Sequence, residues 1–481
     1  MRPESIVLLA AAALLVCADG ASAKSVAVDF PVTIHDSQDA IPTKRLLRSS
    51  EDSEERVGFD TLTGLAKAGA SKVTGTTVLD TWLFHNVNGV QVLAKLQLGD
   101  DIAAALTSSK LKTLRKYIAM YNNKHTNTPT SLIETLTAHY GDDVVAKALA
   151  VAQKQPNTEA LATQLRKNQM AIWMRKDRTG VDIFKLLSSG DDGYFTLTNL
   201  EILDDYIKLF NREKSAHETL LATLTTGIGS ERRLAELLVV AKANPTTREK
   251  ALELQSALFD KWLARKLRPE TILRGLKLDD NVENALTNRN LQTLINYISV
   301  FNKNNPTSEA TLIGTLIAHY GDDVVATALL SVKKVAGTKD MATVLQIQQL
   351  GRWFKSGKSV DDVYALLKFP DDLYEVIASR KLEALDDYVK LFNREKSADE
   401  SVIKAMAAAF GGEDEVAKAL ETARRYPALN AKATELQNAQ FAQWEKEGLK
   451  SEGILAKVFK IGETEAGTGV EESIVKRYTM F

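Results

Sequence analysis

The stretch Leu132-Ile133-Glu134-Thr135-Leu136-Thr137-Ala138-His139-Tyr140-Gly141-Asp142-Asp143 returns downstream as Leu312-Ile313-Gly314-Thr315-Leu316-Ile317-Ala318-His319-Tyr320-Gly321-Asp322-Asp323. Ten of the twelve positions are identical, 180 residues apart. Looser copies lie at Leu220 to Leu238 and at Val402 to Leu420. Self-similarity at a fixed period marks a chain built from stacked units, none of which buries its apolar face alone. Further marks stand in the same register.

The five tryptophans supply them. Trp82, Trp173, Trp262, Trp353 and Trp444 are spaced by 91, 89, 91 and 91 residues. Each is followed 33 to 35 residues later by a tyrosine: Tyr117, Tyr206, Tyr297, Tyr388 and Tyr478. Eighteen residues after the first four tryptophans stands an aspartate, at Asp100, Asp191, Asp280 and Asp371; the fifth unit has Gly462-Glu463 there. Leu203 to Ala216 matches Leu385 to Ala398 closely. The array therefore has a second period of about 180 residues, as expected from duplication of a two-unit block.

The local code is helical. Leu111, Leu114, Ile118 and Tyr121 recur at three- and four-residue steps, and Leu291, Leu294, Ile298 and Phe301 repeat the pattern. That spacing puts each set on one helix face. Asp-Asp and Gly-Asp pairs are expected to cap helix starts with their carboxylates. Pro129, Pro156, Pro245, Pro306 and Pro427 read as breaks between helices. Each unit is then expected to hold about five short helices. Aromatic residues in register on helix faces belong to the core, so replacing one of the tryptophans, such as Trp82, with alanine is expected to cost about 3–5 kcal/mol in its unit.

Composition bounds the function. The chain has 481 residues with 26% charged and 44% hydrophobic content, which is globular. Lys+Arg numbers 61 and Asp+Glu 62, so the net charge is -1. That balance argues against a nucleic-acid binder working through a basic field. Arg2, the apolar run Ile6 to Val16 and Ala21-Ser22-Ala23 read as a secretory signal over residues 1–23, too short to span a bilayer. The single cysteine, Cys17, lies inside it, so the processed chain is expected to lack disulfides, zinc-thiolate sites and a catalytic thiol. Residues 24–58 carry Pro31, Pro42 and an acidic run without helical period, the composition of a disordered leader. Inside it lie Arg45-Leu46-Leu47-Arg48 and Glu54-Glu55-Arg56.

Candidate chemistry is weak throughout. Gly351 to Ser359 ends in Gly357-Lys358-Ser359 but has five residues between its glycines where a phosphate loop has four, and it contains Trp353. His139 and His319 lack a second histidine at ligand spacing, and His217-Glu218 lacks the rest of a zinc motif. No catalytic, cofactor or metal residue is assigned. The charged segments Arg212-Glu213-Lys214 and Arg394-Glu395-Lys396 read as solvated faces, with a partner groove or a joint between units as the alternative.

The order signal, Arg-x-Leu-Arg, Glu-Glu-Arg and tandem Trp/Tyr units resembles the oomycete RxLR effectors built from WY and LWY modules. The resemblance implies an all-α fold: an elongated solenoid of helical bundles behind a disordered leader. It places a WY module at 59–129 and LWY modules at 130–216, 217–307, 308–397 and 398–481, with the Leu-rich element docking on the previous bundle. The chain stops three residues after Tyr478, which puts the packing of the last helix in question. In such effectors the leader is associated with delivery into host plant cells. The resemblance further implies a virulence protein that binds host proteins in cytoplasm or nucleus and suppresses immunity. Some members recruit the core of protein phosphatase 2A through its scaffold subunit, and some suppress host small-RNA silencing. An extracellular helical scaffold is the alternative, and it leaves Arg45 to Arg56 unexplained.

Overall fold

In the computed structural model the described residues are 75–188, 195–462 and 469–481. The signal segment, the leader with Arg45, Leu46, Leu47, Arg48, Glu54, Glu55 and Arg56, and also Asp191 and Glu463, lie outside them. Among the described residues every regular element is a helix.

Around Trp82 and Tyr117 stand α1 (Gly75–Phe84), α2 (Gly89–Lys95), α3 (Ile102–Thr107) and α4 (Lys110–Lys124). The next repeat contributes α5 (Leu132–Tyr140), α6 (Asp142–Ala152), α7 (Glu159–Arg175), α8 (Gly180–Leu187) and α9 (Leu197–Lys214). The third contributes α10 (Leu220–Ile228), α11 (Glu231–Ala243), α12 (Arg248–Ala264), α13 (Pro269–Gly275), α14 (Val282–Thr287) and α15 (Leu291–Asn304). The fourth has α16 (Leu312–Tyr320), α17 (Asp322–Val332), α18 (Lys339–Lys355), α19 (Val360–Leu366), α20 (Leu373–Ala378) and α21 (Lys381–Lys396). The last has α22 (Val402–Ala409), α23 (Glu413–Ala423), α24 (Pro427–Lys446), α25 (Ser451–Lys457) and α26 (Gly469–Met480). The third and fourth repeats thus hold six helices, one more than their length alone led us to expect.

The described chain falls into two compact units, residues 75–258 and 259–481. In the first, one apolar core runs from Leu79 to Leu165. It joins Val92 and Leu93 of α2 and Leu114 and Tyr117 of α4 to Ile133 and Leu136 of α5 and Val145 and Leu149 of α6. The Leu-rich pair α5–α6 therefore completes the bundle that precedes it in sequence. The second unit repeats the arrangement. Trp353, Val363, Leu385 and Tyr388 share a core with Ile403 and Met406 of α22 and Val416 and Leu420 of α23. The last bundle has its own core of Phe441, Trp444, Ile454, Val458, Phe459 and Ile474, and α26 packs into it.

Local chemistry sets the helix ends. Ser131, Thr219, Thr311 and Ser401 occupy N-caps, and each side chain accepts the N–H of the third residue of its helix. Four asparagines, each five residues after a marking tyrosine, fix the entry to those caps. Asn122 donates to the carbonyl of Thr130 at 2.7 Å and accepts its N–H at 2.9 Å. Asn211 does the same to Glu218, Asn302 to Ala310 and Asn393 to Glu400. Between the Leu-rich helices Gly141 and Gly321 take φ +94 and +91, a conformation that side chains disfavour. The expected aspartate caps are found at Asp101 and Asp372. At Asp142 and Asp322 the carboxylate makes no cap, because it turns inward to another partner described below. Pro129, Pro156, Pro245 and Pro306 fall between helices; Pro427 instead opens α24, where its missing N–H costs nothing.

Gly227 lets α10 approach α8 closely: a Cβ there would stand 2.3 Å from Cδ1 of Phe184, itself buried in the core. Gly227→Ala gains helix propensity of about 1 kcal/mol but forces Phe184 off its packing, at about 1–3 kcal/mol. We expect a net loss of stability in chemical denaturation, and a rescue when Phe184→Leu is added.

Candidate functional site

The tryptophans and tyrosines that mark the repeat meet in pairs. Ring centroids of Trp82–Tyr117, Trp173–Tyr206, Trp262–Tyr297, Trp353–Tyr388 and Trp444–Tyr478 lie 6.3, 5.6, 5.4, 5.8 and 5.7 Å apart, each edge to face. That geometry sets the positive edge of one ring against the negative face of the other. Each tyrosine hydroxyl donates to the carbonyl five residues beyond its tryptophan: Tyr117 to Val87, Tyr206 to Arg178 (2.5 Å), Tyr297 to Leu267 (2.5 Å), Tyr388 to Lys358 (2.6 Å) and Tyr478 to Leu449 (2.6 Å).

That carbonyl belongs to a helix stop of one kind. The N–H of the same residue bonds back to the tryptophan carbonyl, at 2.9–3.1 Å in all five units. The residue before it, Asn86, Asp177, Lys266, Gly357 or Gly448, sits at φ between 48 and 73 and bonds the residue after the tryptophan. This is a Schellman stop, which satisfies helix carbonyls and turns the chain. The next helix begins at once, so the carbonyl in the turn has no helical partner. The tyrosine hydroxyl satisfies it. Burial pushes the Tyr206, Tyr297 and Tyr388 phenols up to about 12, so they remain donors at any physiological pH.

The tryptophan also reads the Leu-rich pair. Nε1 of Trp173 donates to Asp142 at 2.9 Å, Trp353 to Asp322 at 2.7 Å and Trp444 to Glu413 at 3.1 Å. One turn earlier, Gln169, Gln349 and Gln440 donate to the backbone carbonyls of those same residues. The acidic residue at the start of the second Leu-rich helix is thus held inside.

A polar contact links the long tryptophan helix to neighbours; its charges are placed alike in the third and fourth repeats and differently in the second and the last. Arg166 donates to Gln153 at 2.7 Å and pairs with Asp205 at 2.8 Å. Lys242 donates to Gln255 at 2.9 Å. Lys333 donates to Gln346, which donates to Asp387 at 2.8 Å. In the last repeat Glu421, 5% exposed, accepts from Arg477 at 2.7 Å, Arg424 at 2.9 Å and Ser473 at 2.8 Å. Arg477 also donates to Gln437. Burial pushes the Glu421 carboxyl up, and the hydrogen bonds from Arg477, Ser473 and Arg424 outweigh it and hold it below the usual range. This network, with the Tyr478 bond, packs the final helix that sequence left in question.

Four tryptophans are 3% exposed or less, but Trp82 is only half-buried, so the cost expected for its removal is too high. Gly351 sits inside α18, Gly357 in the Schellman turn and Ser359 at an N-cap with Asp362, so Gly351 to Ser359 forms no phosphate cradle. His139 and His319 pack edge-on to Tyr140 and Tyr320. Those tyrosines donate to the carbonyls of Gly99 and Leu278, fixing the Leu-rich pair to the previous bundle. Arg212 turns to Glu213 and Arg394 to Glu395, both at 3.0 Å. Among the described residues no group of three or more His, Cys, Asp or Glu is placed to hold a metal ion, and no helix is long and apolar enough to cross a membrane.

A groove of about 560 Å³ opens in the first unit, lined by Ala103, Thr107, Ala148, Val151, Thr196 and Thr198. In the duplicated copy Arg380 stands where Thr198 does, and its guanidinium donates to Ser331 Oγ and to the carbonyl of Leu330. Sequence reading missed the asparagine clamps, the buried glutamines and this groove. The asparagines alone carried a signal, a constant offset of five from each tyrosine.

A tandem array of helical bundles, each closed by a Trp–Tyr lock, is a repeat scaffold. Comparison with known proteins places it. The profile of a family described as RXLR phytopathogen effector protein, with avirulence activity, matches residues 2–124. Two RxLR effector proteins of Phytophthora infestans are 40% and 36% identical over 92% and 90% of this chain. The chain spans 66% of the first and 86% of the second. RxLR effector protein PSR2 of Phytophthora sojae is 26% identical over 92% of this chain, which spans 67% of it. The crystal structure of PcRxLR12 matches at a TM-score of 0.48 and 25% identity, covering 84% of this chain and 97% of that one. The chain belongs to the RxLR effector family.

Two predictions follow from the interior. Trp173→Ala removes both the ring contact and the bond to Asp142 and should cost about 3–5 kcal/mol in chemical denaturation; Trp82→Ala should cost clearly less. Glu421→Gln should cost about 3 kcal/mol, because it leaves two guanidinium groups without their carboxylate. The carboxyl is held low in the folded state, so its contribution is present above the ordinary pKa of 4.5 and is lost as pH falls through the folded value. Melting followed between pH 7 and 3 should show the wild-type and Glu421→Gln curves converging toward acid.

Proposed function

We propose that this chain is a secreted effector that acts inside host plant cells by binding host proteins. The observation that carries the reading is the 36% identity to an RxLR effector protein of which the chain spans 86%. The interior supports it. The tryptophans and tyrosines that mark the repeat are engaged in building bundles, so specificity falls to the outer helix faces and to the joins between bundles. Stacked helical repeats expose long surfaces suited to protein recognition. Residues 1–23 serve as the secretion signal. Arg45, Leu46, Leu47 and Arg48 with Glu54, Glu55 and Arg56 serve as the address for entry, outside the fold. The five modules at 59–129, 130–216, 217–307, 308–397 and 398–481 act as the binding scaffold, without catalysis and without a cofactor.

The partner we propose first is the scaffold subunit of protein phosphatase 2A, which would make the chain a substitute regulatory subunit. The support is the resemblance to LWY effectors together with the duplicated two-module block. Affinity capture from plant extract with the tagged chain is the test, with Trp173→Ala as a folding-defective control. Enrichment of the phosphatase scaffold subunit with the wild type and its loss with the control is the expected result. Enrichment of other host proteins without the phosphatase would sink the partner and leave the binding reading. No specific host protein at all would overturn both.

A further inference from the structure

The groove of the first unit has counterparts in which the same space is taken. It lies where a short helix of one repeat, α3, meets the second Leu-rich helix of the next, α6. By register with the marking tryptophans and tyrosines, Ala103, Val151, Gln155 and Thr198 correspond to Glu283, Ser331, Val335 and Arg380 at α14–α17. At α20–α23 they correspond to Tyr374, Thr422, Tyr426 and Val470. The Arg380 guanidinium enters at α14–α17, donating to Ser331 Oγ at 2.8 Å and to the carbonyl of Leu330 at 2.9 Å. At α20–α23 two rings meet instead, Tyr374 and Tyr426, edge to face at 6.4 Å. Between α3 and α6 the small side chains of Ala103 and Thr198 leave about 560 Å³ open, and Val151 beside them is 55% exposed.

The acceptor that Arg380 satisfies is present in the open copy too. A helix leaves its last carbonyls without intrahelical partners. At the end of α17 the N–H of Lys333 bonds Leu329 and that of Lys334 bonds Ser331, so the carbonyl of Leu330 is passed over. At the end of α6 the N–H of Gln153 bonds Leu149 and that of Lys154 bonds Val151, so the carbonyl of Ala150 is passed over in the same way. A guanidinium suits such a helix end, because it carries several donors in a rigid fork, a charge that the C-terminal dipole favours, and weaker hydration than an ammonium. Val151 lacks the hydroxyl of Ser331, but Thr107 and Thr198 line the groove. The Thr107 hydroxyl donates to the carbonyl of Ala104 at 3.0 Å and keeps its oxygen as an acceptor. Ala148, Val151 and Ala152 offer apolar surface to a methylene stem. The one cation among the lining residues, Lys147, stands 3.9 Å from Asp143. Clefts of about 300–1,000 Å³ are the size that holds a ligand, so the space admits an arginine together with its chain neighbours.

We propose that the α3–α6 groove receives an arginine side chain presented by a short exposed segment of a host protein, seated as Arg380 is seated in the duplicated copy. The proposal rests on the reading that the chain binds host proteins, and it gives that reading a place and a chemistry. Duplication has left one groove closed from within by its own arginine and one open to an arginine from outside. Its charge is met by a helix end and hydroxyls, with no acidic residue among the lining, so a lone arginine binds weakly and the rest of the partner adds affinity.

Methyl NMR on the full chain labelled at alanine is the test, titrated to millimolar concentration with an acetyl-Gly-Arg-Gly-amide peptide and with the same peptide carrying citrulline, which keeps the shape and loses the charge. The methyls of Ala103 and Ala148 should shift saturably, at one arginine peptide per chain. Ala328, the counterpart of Ala148 in the filled copy, should not shift. Citrulline should weaken binding about tenfold, the worth of a hydrogen bond to a charged group. Thr198→Arg should close the groove from within, leaving the melting temperature unlowered and peptide binding weakened about tenfold. Arg380→Thr should open the second seat, so that Ala328 shifts and two peptides bind. No saturable shift at Ala103 and Ala148, equal binding of the citrulline peptide, or full binding by a folded Thr198→Arg chain would overturn the proposal. If neither variant folds, the contrast between arginine and citrulline at Ala148, with Ala328 as reference, decides alone. Capture of host proteins from plant extract without any peptide shift at Ala148 overturns this proposal and leaves the binding reading; no capture at all overturns both.

Discussion

The structure depends on a hydrogen bond made five times, from a tyrosine hydroxyl to the carbonyl that follows a Schellman stop. Ending the long tryptophan helix in a left-handed residue and starting the next helix immediately leaves one backbone acceptor in the turn between them. A buried acceptor without a partner costs about 1–3 kcal/mol. Phenylalanine would fill the same volume and leave that carbonyl unpaired. Tyrosine fills the volume, meets the tryptophan edge to face, and closes the carbonyl. The same helix reaches the other way through its indole N–H and a glutamine one turn earlier, onto the first residue of the second Leu-rich helix. One helix is thus held at its end by the tyrosine helix and along its side by the Leu-rich pair.

This arrangement explains why physical cores and sequence repeats are out of step. The repeat begins at the Leu-rich pair, but that pair completes the bundle before it, as Ile133 and Leu136 do beside Tyr117. A repeat removed from the chain would leave one bundle open and take another's cover with it. Stability in such an array is a sum of bundle terms and neighbour terms. The last repeat, whose tyrosine helix ends at Met480, holds that helix with Glu421 between two arginines. Its register equivalents in other repeats include Ala150 and Leu330, which are apolar.

Much of this was legible in sequence, for physical reasons that can be named. Tryptophan and tyrosine are rare, large and irreplaceable in the lock, so their spacing stands out. The turn after the tryptophan is invisible, because four different residue types, at Asn86, Asp177, Lys266, Gly357 and Gly448, reach the same left-handed φ. The polar link between helices is invisible for a related reason. Its cation stands at one register position in Lys242 and Lys333 but moves to Arg166 in the second repeat and to Arg477 in the last, so the position does not keep its charge throughout. Asp142 and Asp322 were read as caps because an aspartate at a helix start usually is one; here the indole behind them takes the carboxylate. Trp82 shows the limit of register, since an equal place in the repeat did not give it equal burial.

The central claim is that each bundle is closed by its lock and opens only as a whole. Native-state hydrogen exchange on the amides of Arg178, Lys358 and Leu449, the residues whose carbonyls receive the tyrosine hydroxyls, tests it most directly. These amides lie at helix ends, where exchange is ordinarily fast. We expect protection equal to that of mid-helix core amides such as Leu203 and Leu385 in the same bundles. Exchange at the rate of frayed helix ends, while the core amides stay protected, would contradict the account.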